Sequence, residues 1–321
     1  CHIEGAADPL LVMRLAGKYG IDLTDVVQDN AYVWNDFTSF LNTYDKASTV
    51  FRSSGDYRLL TYDYFTRLAA QDAIYGEVFA SPDHSALMGV GFDELIAAMS
   101  EGIADAERET GIVGRIVATC VRHLGPESAE LVAEQCAMSS HDYLTGFGMA
   151  GDERMYQPED FATAFAIAAD AGLGLTAHAG EFAGPESVQS VLEHLNVSRI
   201  GHGVRMIEDA DLTAEVAERG IVLEICAGSN IALGVYSDVQ SHPLSLLENA
   251  GVRVCLNSDD PPYFSTSLAH EYEIARQLGL DDASLRQCTR TAVEAAFVDE
   301  QTRGSLLNKL DNIDESAFSS P

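Results

Sequence analysis

Residues 173–226 read LGLTAHAGEFAGPESVQSVLEHLNVSRIGHGVRMIEDADLTAEVAERGIVLEIC, and this stretch decides the fold. Leu173–His178 is a short apolar run of the kind that forms a buried strand. A helix follows, opened by Pro185 and Glu186, with Val188, Val191, Leu192 and Leu195 on one apolar face. Arg199–Gly203 reads as the next strand, Ala210–Arg219 as a helix closed by Gly220, and Ile221–Cys226 as a further strand. Strand and helix alternate, which is the pattern of a parallel sheet wrapped by helices.

The same cycle extends in both directions. Val252–Asn257 is a strand downstream, and Ile74–Phe79, Ile112–Cys120 and Leu144–Met149 are strands upstream. Pro158–Ala171 carries Pro at its start, acids in its first turn and Gly172 after its end, the punctuation of a helix. A strand ending at His2–Glu4 completes eight units. The expected architecture is α/β, a closed (β/α)8 barrel forming one domain over residues 1–321, with an open doubly wound sheet as the alternative. No G-x-G-x-x-G follows the early strands, which argues against a dinucleotide site. Asp22–Gln71 is helical in pattern without a clear strand and rich in aromatics, among them Trp34, Phe37, Phe40, Tyr44 and Tyr57. It reads as an insertion after the first strand, either a lid over the barrel mouth or plain packing.

Composition narrows the function classes. The chain has 321 residues, 46% hydrophobic, with 19 basic against 50 acidic side chains and a net charge of −31. Such a field repels phosphate backbones and anionic lipid, so neither nucleic acid nor a membrane surface is an expected partner. No apolar run approaches the ~18 residues of a membrane span, and no secretory leader is seen. The six cysteines show no C-x-x-C spacing, which fits a reduced, cytoplasmic compartment.

Four polar clusters stand at the C-terminal ends of candidate strands, the catalytic face of a barrel. They are Cys1-His2-Ile3-Glu4-Gly5, His178-Ala179-Gly180-Glu181, Gly201-His202-Gly203 and Ser258-Asp259-Asp260-Pro261-Pro262. Imidazole nitrogen and carboxylate oxygen are ligands for Zn²⁺, and His2, His178 and Asp259 are the ligand candidates. Such a metal makes a water nucleophilic near neutral pH. Glu181, three residues beyond His178, can reach a substrate beside the metal. His202 is directed inward between two glycines, and Asp260 can bind substrate while its neighbour binds metal. The remaining histidines lack this setting: His194 reads as solvated, His84, His242 and His270 as loop or helix-start residues without acidic partners at strand ends, His123 as ambiguous, and His141 as belonging to the opposite face.

At these residues the sequence resembles the adenosine/adenine deaminase family, metal-dependent barrels that hydrolyse purine amino groups. The motifs that carry the resemblance are the four clusters together with Ala150-Gly151-Asp152-Glu153, and they span the chain. The resemblance implies zinc, one per chain, on His2, His178 and Asp259. It implies Glu181 as the acid that protonates the purine ring nitrogen N1, and His202 as the group that orients the attacking water, with deprotonation of that water as its alternative role. Asp260 then meets N7, Gly151 offers backbone near N3, and Glu4 lies near a ribose. It also implies a further histidine immediately before Cys1, so the numbered chain is expected to begin inside its first strand. Cys226-Ala227-Gly228-Ser229-Asn230 lacks the proline usual after that cysteine.

The Gly-Asp-Glu, Gly-His-Gly and HAGEFAGPES stretches look like adenosine deaminases, whereas Glu4 looks like adenine deaminases. The expected reaction is deamination of adenosine and 2′-deoxyadenosine, with a small purine nucleoside as the partner. Adenine or an N6-modified purine is the alternative, and a non-catalytic purine-binding barrel the remote one.

Overall fold

The computed structural model describes residues 1–312. Seven parallel strands lie side by side in chain order. They are β1 (Tyr75–Ala80), β2 (Val113–Val121), β3 (Leu144–Ala150), β4 (Gly174–Ala179), β5 (Arg199–His202), β6 (Val222–Ile225) and β7 (Arg253–Leu256). Each lies within about a residue of its expected position. β2 illustrates why they form: its run Ile116–Val121 is buried throughout, as a strand with helices on its outer face and the barrel interior on its inner face must be.

The first expected strand differs. His2 makes an isolated parallel bridge to Phe79, with the Ile3 N–H donating to the Phe79 carbonyl at 2.8 Å and the Phe79 N–H to the Cys1 carbonyl at 2.8 Å. The chain then turns, the Ala6 N–H reaching back to the His2 carbonyl, and enters helix α1 (Pro9–Tyr19). Among the described residues the sheet is seven strands joined by this bridge to Cys1–Ile3, curled rather than paired all round. A cavity of about 870 Å³ lies between the edges of β1 and β7, reaching from His2, His178 and Asp259 to Arg199 and Glu224.

The N-terminal end of the sheet is closed by a buried ion cluster. The Arg199 guanidinium lies 2.5 Å from Glu77 Oε2 and 2.7 Å from Glu224 Oε1, and 3.5 Å over the ring of Phe297. Tyr75 donates to Glu77 and Thr176 to Glu224, so the charges of β1, β5 and β6 are tied with their neighbours.

The insertion holds helices α2 (Phe37–Ser48) and α3 (Ser54–Ala69) and, against expectation, a short antiparallel pair, Val27–Gln28 with Ala31–Tyr32. Asp29 and Asn30 at its turn both have positive φ, 49° and 60°, the geometry of a tight hairpin. The pair is too short to leave an alternating pattern in the sequence. The expected helix over 158–171 is also divided. Asp160 bonds back to the Gln157 N–H, which tightens Pro158–Phe161 into a 3₁₀ turn before the α-helix Ala162–Asp170.

The insertion packs onto the C-terminal face of the sheet. The Phe37 ring stands 4.5 Å from Phe182, Tyr32 stacks on Tyr263 at 3.8 Å, and the Trp34 indole donates to the Tyr263 carbonyl at 3.0 Å. It roofs the two loops that leave β4 and β7.

Candidate active site

Sheet geometry gathers the sequence-predicted residues at one end. His178 is in β4, His202 ends β5, and Asp259 follows β7. His2 Nε2 lies 3.6 Å from Asp259 Oδ1, and His202 Nε2 lies 3.9 Å from Asp259 Oδ2. The His178 ring is 5.3 Å from that of His2 and 5.1 Å from that of His202. Phe79 packs against His2 and His178 and keeps that side apolar. His202 and Asp259 both have positive φ, 60° and 56°, a strained backbone of the kind that collects at functional sites. Gly201 precedes His202 for a steric reason: a Cβ there would lie 2.8 Å from His178 Nδ1.

The donor set suits a divalent cation. His178 Nδ1 lies 3.0 Å from the Met149 carbonyl, which fixes the ring and leaves Nε2 as a lone pair facing the cluster. Burial, with mutual repulsion among the rings, lowers His2 well below its ordinary value and takes His178 to about 3. Burial first, then the neighbouring His242, takes His202 to about 3. All three are neutral imidazoles at neutral pH, as metal ligation requires. Cys226 Sγ also approaches: potential ligand atoms of His202, Cys226 and Asp259 lie within 4.8 Å of one another. Burial holds that thiol well above its usual range, so it stands as a neutral side chain. All six cysteines are free.

Glu181, on the loop after β4, is 7% exposed, and burial beside Asp259 and Glu153 raises it well above the ordinary carboxylate range. The shift favours the protonated carboxyl. Its loop is held by Glu153, whose Oε2 accepts the N–H groups of Glu181, Phe182 and Ala183 at 3.0, 2.6 and 3.0 Å. Ser187 Oγ donates to Glu153 Oε1 at 3.1 Å. The sequence offered Glu153 only as the third letter of Gly-Asp-Glu.

Asp260 is buried and raised by burial and by Asp259, and its Oδ1 has no hydrogen-bond partner. An orphaned buried oxygen beside the cluster is a binding group awaiting a partner. Gly151, with φ 105°, stands apart at the end of β3, two residues past Met149 and against His123. Glu4 is 2% exposed and takes hydrogen bonds from Tyr44 at 3.3 Å and Tyr57 at 3.2 Å, both phenols belonging to the insertion. Burial raises its carboxyl.

As expected, His84 and His270 find no acid at a strand end among the described residues; their acidic neighbours lie in helices, Asp45 at 3.5 Å from His84 and Glu273 at 3.1 Å from the exposed His270. His242 is buried and bonded to Asn230, which in turn reaches Glu181 and His202. Asn230 and His242 were missed because neither carries a charge and each meets its partner only through the fold. The available signal was the position of Ser229-Asn230 just past the C-terminal end of β6.

Comparison with known proteins places this geometry. The family described as adenosine deaminase matches residues 1–313. An adenine deaminase of Agrobacterium fabrum is 54% identical over 311 residues, covering 97% of this chain and 96% of its own. The crystal structure of an adenine deaminase from Arthrobacter aurescens superposes with a TM-score of 0.89 at 27% identity, covering 97% of this chain and 96% of its own. A zinc-bound amidohydrolase from Burkholderia ambifaria shares the fold, with a TM-score of 0.89 at 23% identity, over 100% of this chain and 91% of its own. The α/β barrel expectation therefore holds. The expectation of adenosine and 2′-deoxyadenosine as substrates is overturned, because relatives at this level of identity are adenine deaminases. The Gly-Asp-Glu, Gly-His-Gly and HAGEFAGPES stretches that suggested a nucleoside therefore do not separate the two substrate classes in this chain. On its motifs, its fold and its relatives, the chain belongs to the adenosine deaminase family of purine-deaminating hydrolases.

Proposed function

We propose that the protein is an adenine deaminase: adenine + water → hypoxanthine + ammonia. The observation that carries this reading is Glu4, sealed between the phenols of Tyr44 and Tyr57 and the barrel. A nucleoside needs room for a pentose at N9. A buried carboxyl ringed by two hydroxyls offers instead a hydrogen-bond acceptor for the N9–H of a free base. The adenine deaminases at 51 to 54% identity support the same choice.

In this reading His2, His178 and Asp259 hold a divalent cation, with zinc the first candidate from the donor chemistry. When bound, such an ion lowers the pKa of water and supplies a nucleophile at neutral pH. The protein's own groups do the rest. Glu181 delivers its proton to N1 and so makes C6 electrophilic, His202 holds the water that attacks, and the carboxyl of Asp260, raised by burial, donates its hydrogen to the N7 lone pair. Gly151 leaves backbone free beside the ring. The C6–O bond forms first, as N1 takes the proton of Glu181; the C6–N bond then breaks, and of the two protons of the water one restores Glu181 while the other leaves on the amine as ammonia.

Ammonia release measured with adenine, adenosine, 2′-deoxyadenosine and N6-methyladenine tests the proposal. Adenine is expected to exceed both nucleosides by at least about 100-fold in kcat/KM, the scale on which a site without room for a substituent rejects it. Comparable rates on adenosine would overturn it.

A further inference from the structure

We propose that Asn230, itself oriented by His242, is a positioning residue that fixes which atom of Glu181 and which atom of His202 carries the proton. The inference rests on the roles given above to Glu181 and His202, and its geometry begins away from them.

The Leu244 N–H donates to His242 Nδ1 at 3.2 Å. That nitrogen therefore holds a lone pair, and burial keeps the ring neutral by lowering it to about 4. A neutral imidazole accepting at Nδ1 must carry its hydrogen on Nε2. His242 Nε2 lies 3.2 Å from Asn230 Oδ1, so it donates there. The amide has one usable orientation as a result, because the reverse would set an NH₂ group against an N–H. Its two amide hydrogens then point the other way. One reaches Glu181 Oε1 at 3.2 Å and the other His202 Nδ1 at 3.1 Å.

Each end of this chain has a consequence. Glu181 Oε1 is an acceptor, so a hydrogen carried by this carboxyl resides on Oε2. His202 Nδ1 is an acceptor, so its hydrogen is on Nε2, the nitrogen 3.9 Å from Asp259 Oδ2. Neutral His202 thus presents a donor to the reacting centre and orients an oxygen there. It has no lone pair at Nε2 with which to take a proton from water. The members are buried, Asn230 at 0%, His202 at 2% and His242 at 3% exposure, so water does not compete for the bonds. Asn suits this position for a chemical reason. One amide supplies two donors on one side and an acceptor on the other, whereas aspartate would supply acceptors only.

Long-range ¹H–¹⁵N correlation spectra of the full chain labelled at histidine report the tautomers directly and need no substrate. His242 and His202 are both expected with hydrogen on Nε2. Hydrogen on Nδ1 of either would overturn the proposal, whichever purine the enzyme prefers. Kinetics on adenine supplies the second test. Asn230→Ala should lower kcat about 100-fold while KM changes less than threefold. His242→Phe should lower kcat about 10-fold, and His242→Gln should recover most of that loss, since its amide can donate from nearly the same place. Equal losses in His242→Phe and His242→Gln, following the loss of thermal stability, would assign His242 to packing and overturn its role.

Discussion

Glu181→Gln removes one proton while keeping the side chain's shape and its bond from Asn230. Turnover is expected to fall by about 10²–10⁴-fold, the usual worth of a positioned acid, with bound metal unchanged by elemental analysis. Full activity would take Glu181 out of the acid role. Residues of this kind were legible because they crowd into short motifs at strand ends, where His178, His202, Asp259 and Asp260 could be read directly. Asn230 was not, because its meaning lies in the direction of an amide. Nor were Tyr44 and Tyr57, whose rings blend into an aromatic, amphipathic helical pattern while their hydroxyls decide what surrounds Glu4.

Among elements, the strands were read to within about a residue because buried parallel strands are plain apolar runs. The hairpin at 27–32 and the 3₁₀ turn at 158–161 were not, since each depends on one or two backbone bonds that leave no periodicity. Two predictions belong at this scale. Glu4→Asp combined with Tyr44→Ala shortens the carboxyl and opens the roof above it. The ratio of adenosine to adenine turnover should rise at least tenfold, and an unchanged ratio would dissociate that wall from specificity. At the opposite end of the sheet, Arg199→Met leaves Glu77 and Glu224 buried without their cation. The loss, read by chemical denaturation, should be about 3–5 kcal/mol, as when one partner of a buried ion pair is removed. A loss below about 1 kcal/mol would mean that the strands do not depend on the cluster.

For the molecule as a whole, buried titratable groups pull stability in opposite directions with pH. His242 sits at about 4 in the folded chain against 6.5 unfolded. Below pH 6.5 the unfolded chain takes up a proton that the folded ring refuses. Its contribution to stability is therefore lost as pH falls, by about 1.4 kcal/mol per unit until the folded value is reached. Glu4, Glu224 and Glu271, raised by burial, act with the reverse sign and lend stability as pH drops through their folded values toward the ordinary carboxylate range. The His242→Gln variant separates the two. Its stability should fall less steeply than that of the parent between pH 6.5 and 4, and parallel curves would show that His242 titrates normally.

The roof described above also carries the chain's single tryptophan. Trp34 is pinned by its indole N–H to the Tyr263 carbonyl, and its ring meets Phe40 and Phe264 edge-on. Tyr263 lies on the loop that bears Asp260, and the neighbouring Phe37 leans on Phe182, one residue past Glu181. Excited at the red edge, where tyrosine barely absorbs, the intrinsic ultraviolet emission of this protein thus comes from one indole seated over the loops that bear Glu181 and Asp260. Stopped-flow fluorescence, without any attached dye, should follow the mouth of the barrel as purine enters and leaves, with no second indole to dilute the signal.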